Sequence, residues 1–125
     1  MESVAHGEIL TRYILDSNNI RTSDSSVKKG AFKPNEGEIS VYRISGLTDE
    51  TIWKIGHEIA SNRNKTLKAR ADFKASIVFG NNTFVFPKEP PKHHAIIIAC
   101  IENYIYNDKL AIDLDRDAKL QFEKK

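Results

Sequence analysis

The stretch Leu67-Lys-Ala-Arg-Ala-Asp-Phe-Lys-Ala-Ser-Ile77 decides how this chain is read. Its odd positions are Leu67, Ala69, Ala71, Phe73, Ala75 and Ile77; its even positions are Lys68, Arg70, Asp72, Lys74 and Ser76. Strict alternation is the period of a strand with one buried face, even though Ala, Lys and Arg favour helices. We therefore expect a long half-buried strand over 67–77. The small Ala69, Ala71 and Ala75 leave room on its buried face for something bulky. Gly80-Asn-Asn82 then reads as a hairpin turn, and Thr83-Phe-Val-Phe86 as the strand returning beside it.

Upstream, Ile39-Ser-Val-Tyr-Arg-Ile44 is β-branched and aromatic, with Ile39, Val41 and Arg43 on one face and Ser40, Tyr42 and Ile44 on the other. Asn35-Glu-Gly37 before it is a turn signal. A helix follows: Thr48 is a good N-cap, Asp49 and Glu50 complement the helix dipole, and Ile52, Ile55 and Ile59 form an apolar stripe beside Trp53, Gly56 and Ala60. Asn62-Arg-Asn64 ends it. Trp53 is expected over the Ala-rich face of the 67–77 strand, and Gly56 with Ala60 makes a smooth spot for the close approach of another backbone. Val4–Leu15 reads as either a short helix or a leading strand. His94-Ala-Ile-Ile-Ile-Ala99 is continuously apolar, as in a strand buried on both faces. Ala111, Leu114, Ala118 and Phe122 form the stripe of a last amphipathic helix. These elements give an α+β class in two layers, with a mostly antiparallel or mixed sheet of about four to five strands packed by two to three helices.

The chain has 125 residues, with 19 Lys and Arg against 17 Asp and Glu. The apolar and charged fractions are those of globular proteins, excluding a disordered tail or a disulfide scaffold. Its length suits one self-sufficient core, so a single domain over 1–125 is expected. No run reaches the roughly 18 apolar residues of a membrane span, and the N-terminus lacks the basic region of a signal peptide. A cytoplasmic protein without a membrane partner is expected. Cys100 has no second cysteine to pair with and reads as a small buried hydrophobe.

Several blocks together carry a resemblance: Ala31-Phe-Lys-Pro34, Ser40-Val-Tyr-Arg-Ile-Ser-Gly-Leu47, Ile52-Trp-Lys-Ile-Gly56, Lys68-Ala-Arg-Ala-Asp-Phe73 and His93-His-Ala-Ile96. In this order they resemble a group of small uncharacterised bacterial proteins, over just more than half of the chain. The resemblance implies a bacterial, stand-alone small domain and brings no activity, cofactor or catalytic residue with it.

His93 and His94 open a strand after a Pro-rich connector. Adjacent strand residues point to opposite faces, so the two do not share one metal ion, but either suits general-base chemistry. His94, Arg70 and Arg43 together would suit acid–base work on a phosphodiester if their strands lie side by side. Asp113-Leu-Asp-Arg-Asp117 begins like a calcium loop, but Ala118 and Lys124 stand where the loop needs Gly and Glu. No phosphate-binding glycine loop, dinucleotide fingerprint, nucleophile elbow or zinc-protease motif is present, so neither cofactor nor metal is expected.

Charge is uneven: residues 63–92 carry seven basic against two acidic side chains. Arg63, Lys65, Lys68, Arg70 and Lys74 form a candidate binding face, because alternate strand residues repeat at about 6.6–6.8 Å, near the phosphate spacing of an extended strand. The solvated, charge-protected edge of a sheet has the same appearance. Three functions fit. The first expectation is a non-catalytic protein-interaction module, such as an accessory, immunity or antitoxin-like component, whose partner is another protein. The alternatives are a nucleic-acid-binding protein using the basic strand and a small metal-independent RNase-like enzyme.

Overall fold

The computed structural model describes residues 3–32, 38–81, 83–98, 100–101, 105–106 and 108–124. The chain opens with β1 (Ile9–Ile14), a small hairpin of β2 (Ile20–Arg21) and β3 (Ser26–Val27), and a 3-10 turn at Lys29–Phe32. β4 (Glu38–Arg43) leads into α1 (Asp49–Asn62), β5 (Ala69–Lys74), α2 (Ala75–Phe79) and β6 (Val85–Pro87). Then come β7 (His94–Ile98), the pair β8 (Cys100–Ile101) and β9 (Ile105–Tyr106), α3 (Asp108–Asp117) and β10 (Lys119–Gln121). The main sheet is antiparallel throughout, in the order β10-β5-β1-β4-β7-β6. The α+β class holds, with six strands in that sheet where four to five were expected.

The Val4–Leu15 segment contributes a strand, and a central one. β1 pairs with β5 along its whole length, from Ile9↔Lys74 to Ile14↔Ala69. Its pairing with β4 covers only Leu10↔Arg43 and Thr11↔Tyr42. Beyond Thr11 the two strands part, and the Arg12 side chain bridges the seam: Nε donates to the Ala31 carbonyl at 3.1 Å and Nη1 to the Ser40 carbonyl at 2.8 Å.

Both faces of the sheet are covered, which makes three layers rather than two. On one face Leu10, Ile39, Val41, Ala71, Phe73 and Ile97 meet Phe32, Val78 of α2, and Leu110 and Leu114 of α3. On the other, Tyr13 and Tyr42 meet Ile52 of α1. α1 starts as its sequence dictates, with the Thr51 N–H donating to the Thr48 hydroxyl at 3.2 Å. It ends at Arg63, followed by Asn64 in the left-handed region at φ 55°. Gly56 lies against the Tyr13 ring, whose hydroxyl donates to the Ile52 carbonyl at 2.6 Å. The close approach made possible by Gly56 is thus to an aromatic ring, not to a backbone.

Several expectations need correction. The alternating stretch stops being a strand at Lys74, because Ala75 and Val78 are also three apart on a helix and bury against the core as α2. The 83–86 strand does not return to β5; β6 pairs with β7 at the opposite edge of the sheet. Trp53 is buried as expected but lies over Arg70, on the face of β5 opposite the alanines; α3 and Phe32 are in the cluster that takes the alanine side. β7 is buried on one face only, with His94, Ile96 and Ile98 half-buried on the other. The last helix ends at Asp117, leaving Phe122 half-exposed beyond β10. The turn expected at 35–37, Asn82 in the turn at 80–82 and the side chain of Cys100 lie outside the described residues.

Candidate functional site

On the face of the sheet that carries α1, the helix covers β5, β1 and part of β4 and leaves the β4–β7 end open. A cleft of about 440 Å³ lies there, lined by Arg12, Ser40, Tyr42, Arg63, Lys88 and His94 among others. That volume is within the usual range for small-ligand sites.

His94 reaches the cleft through a local device in the backbone. His93 sits in the left-handed region at φ 71°. Its N–H donates to the Glu89 carboxylate at 2.8 Å, and its carbonyl accepts the Arg43 N–H at 2.8 Å. The chain then enters β7, with His94 opposite Tyr42 and Ile96 opposite Ser40. His94 Nδ1 lies 2.8 Å from the Lys88 carbonyl and Nε2 lies 2.6 Å from Ser40 Oγ. A carbonyl only accepts, so Nδ1 carries the hydrogen; in the neutral ring Nε2 then accepts from the Ser40 hydroxyl. The Tyr42 ring lies 5.1 Å from the imidazole. Burial raises the Tyr42 hydroxyl pKa, against the opposing pull of the Arg63 charge, a hydrogen bond with Ser40 and the Arg12 charge.

Arg12 is the electrostatic centre. It belongs by parity to the apolar row Leu10–Arg12–Ile14, and it fills the seam between β1 and β4. Both of its hydrogen bonds go to carbonyls, and among the described residues no carboxylate pairs with it. Burial and the charge of Arg63 push its pKa down to about 10. Two of its five N–H donors are used, so three remain for a ligand. Arg63 and Lys88 add two more cations to the lining; among the described residues Glu38, 3.4 Å from Lys88, is its one carboxylate. The C-terminal end of α1 also faces the cleft with its partial negative charge, and Arg63 at the cap stands against it.

The residues singled out in the sequence are distributed differently. His94 is in the cleft. Arg70 is on the same face of the sheet but on β5, three strand spacings or about 14 Å from β7. It is 6% exposed, held 3.2 Å from both Asp72 and Asp49, with the Trp53 ring 4.7 Å away. Arg43 is on the other face, paired with Glu8. The His94, Arg70 and Arg43 trio is therefore not assembled. Of the basic row, Lys68 and Lys74 are exposed, Arg70 is sequestered between them, and Lys65 follows α1 in an exposed loop. Arg63 alone of those five reaches the cleft. Asp113 and Asp117, from the calcium-like run, are engaged by Lys109 and Arg116, and Asp115 by Arg21.

Sequence reasoning missed Ser40 and Arg12. Ser40 occupies the polar side of an alternation and reads as solvent-facing. Arg12 did leave a signal, a cation between Leu10 and Ile14 on the apolar parity of β1. Chemically, the cleft can bind an anion through guanidinium, ammonium and hydroxyl donors, and Ser40 with His94 has the contact of an activated hydroxyl and its base. Among the described residues no group of three or more His, Cys, Asp or Glu side chains converges on a metal position. No family model, curated protein or solved structure matches the chain, so the cleft is read from its own geometry.

Proposed function

We propose that the protein binds nucleic acid and seats a backbone phosphate in the Arg12–Ser40–His94 cleft. Arg12 is the observation that carries this reading: a guanidinium lodged in a seam of the sheet, with carbonyl partners, spare donors and no paired carboxylate among the described residues. A phosphate supplies the missing countercharge and matches the planar fork of donors. Arg63 and Lys88 at the rim of the cleft add attraction without desolvation, while Ser40 and His94 orient the anion. We assign it binding rather than catalysis, because the Ser40 backbone is paired with β7 and among the described residues no helix N-terminus lines the cleft to stabilise an oxyanion. The proposal retains a cytoplasmic bacterial setting and moves the nucleic-acid contact from the 63–74 strand to the cleft. A protein partner becomes the competing outcome.

The test is binding of a labelled short oligouridine across a salt series. One phosphate at Arg12 and two neighbouring ones met by Arg63 and Lys88 at the rim predict a log–log slope of about −2 for a single strand. The exposed pair Arg63→Gln/Lys88→Gln should keep the fold by circular dichroism, weaken binding and flatten that slope by about 1.4. Unchanged affinity and slope in the double variant, or retention of an acidic protein in place of the oligonucleotide, overturns the reading.

A further inference from the structure

The open end of the same sheet face carries a second feature that the cleft does not use. Phe86 of β6 is 48% exposed and Phe84 just before it is 56% exposed. Their ring centroids are 6.1 Å apart, with the planes inclined by 40°. Phe86 stands directly opposite Ile96, and Ile96 stands directly opposite Ser40. Ser40, Ile96 and Phe86 are thus consecutive neighbours on one face, and Phe86 lies two strand spacings from Ser40, about 10 Å. Ile96 itself lines the cleft. Phe86 and the cationic cleft therefore form one continuous surface, while the Phe84 ring beside Phe86 also meets Phe79 of α2 edge-on, 6.3 Å between centroids.

We propose that this surface selects single-stranded nucleic acid, with an unpaired base stacked on Phe86 and the adjoining phosphate held at Arg12 and His94. The inference rests on the phosphate-binding reading of the cleft and adds to it the class of strand. Charge complementarity chooses this occupant over an apolar protein segment. Phe86 borders a lining that among the described residues has three cations and one carboxylate, and it offers a ring to flat base faces that in a duplex are already stacked on their neighbours. Phe86 lies about 10 Å from Ser40, within the reach of a base attached to the nucleotide whose phosphate occupies the cleft. A duplex, whose bases are already stacked inside the helix, has no free base face to offer Phe86 while its phosphate sits in the cleft.

The experiment compares the full chain with Phe86→Ala and Phe86→Trp on three probes: a labelled oligouridine, the same length of duplex RNA, and inorganic phosphate. Wild type is expected to bind the single strand more tightly than the duplex. Phe86→Ala should weaken the oligouridine about 5- to 100-fold, as loss of one stacked base does, and leave phosphate binding unchanged. Phe86→Trp should restore the oligouridine affinity. Phe86 is half-exposed, so circular dichroism of the variants should match wild type. Equal affinity of wild type and Phe86→Ala for the oligouridine, or duplex binding as tight as single-strand binding, overturns the inference while leaving the cleft reading intact. Failure of wild type to bind either phosphate or oligouridine overturns the cleft reading itself.

Discussion

Gly56→Ala tests how tightly α1 is seated on the sheet. In an exposed helix the change would stabilise, by up to about 1 kcal/mol, because glycine is the poorer helix former and the looser unfolded chain. At this site a Cβ would lie 2.6 Å from Tyr13 Cε1, 2.7 Å from Cδ1 and 2.8 Å from Leu67 Cδ2. Leu67 can rotate away. The Tyr13 ring cannot: it is 8% exposed, and its hydroxyl is tethered to the Ile52 carbonyl one turn earlier on the same helix. Moving the ring gives up that bond or forces α1 outward, and overpacking of this kind costs about 1–3 kcal/mol. Set against the helix gain, the net effect is a loss of about 1–2 kcal/mol. Urea unfolding followed by Trp53 fluorescence should show a midpoint roughly 1 M lower for the variant, with the slope unchanged. In a Tyr13→Leu background the steric cost should vanish, and Gly56→Ala should then stabilise by up to about 1 kcal/mol. A higher midpoint for Gly56→Ala in the wild-type background would refute the argument.

Trp53→Ala should destabilise by about 3–5 kcal/mol, since it removes a buried ring and uncovers the buried guanidinium of Arg70; native Trp emission should be blue-shifted, and a red-shifted, readily quenched emission contradicts the placement. Asp115 concerns acid stability: its hydrogen bonds with Arg21 hold the carboxyl below its usual pKa, against the opposing effect of burial. The stabilisation is then present above the unfolded value near pH 4 and lost as the pH falls through the folded value. The Tm gap between wild type and Asp115→Asn should accordingly narrow on acidification below about pH 4, and a constant gap rejects the linkage.

How much of this was legible depended on whether one pattern had one meaning. β4 and α1 were readable because Ile39 and Val41 alternate with polar neighbours and Thr48 caps a helix whose stripe has a single period. The 67–77 run was readable only as far as Lys74: past it, Ala75, Ile77 and Val78 satisfy a strand and a helix equally, and packing against α3 decided. Trp53 falls on the face opposite the one expected, because the room left by Ala69, Ala71 and Ala75 is on the side of the cluster that holds Phe32 and α3, while Arg70 offers its guanidinium to the indole. Asp49 and Asp72 neutralise Arg70, and only the fold brings Asp49 there. Ile96 and Ile98 read as buried because they belong to a continuous apolar run, whereas α1 stops short of β7 and leaves both half-buried. The cleft joins residues from β1, β4, α1 and β7, and no spacing in the chain encodes that meeting.

The strand order also fixes a timetable for synthesis. The longest pairing of β1 is with β5, so from the time Ile9 leaves the ribosome until Lys74 has been made, β1 has only its two-residue match with β4. Chain elongation at about 5–20 residues per second keeps an apolar strand waiting for seconds. During that interval Arg12, in the middle of β1, puts a charge among its apolar residues and guards the nascent strand against association with other chains. The same side chain that holds the seam open in the finished sheet thus serves the unfinished one as a gatekeeper.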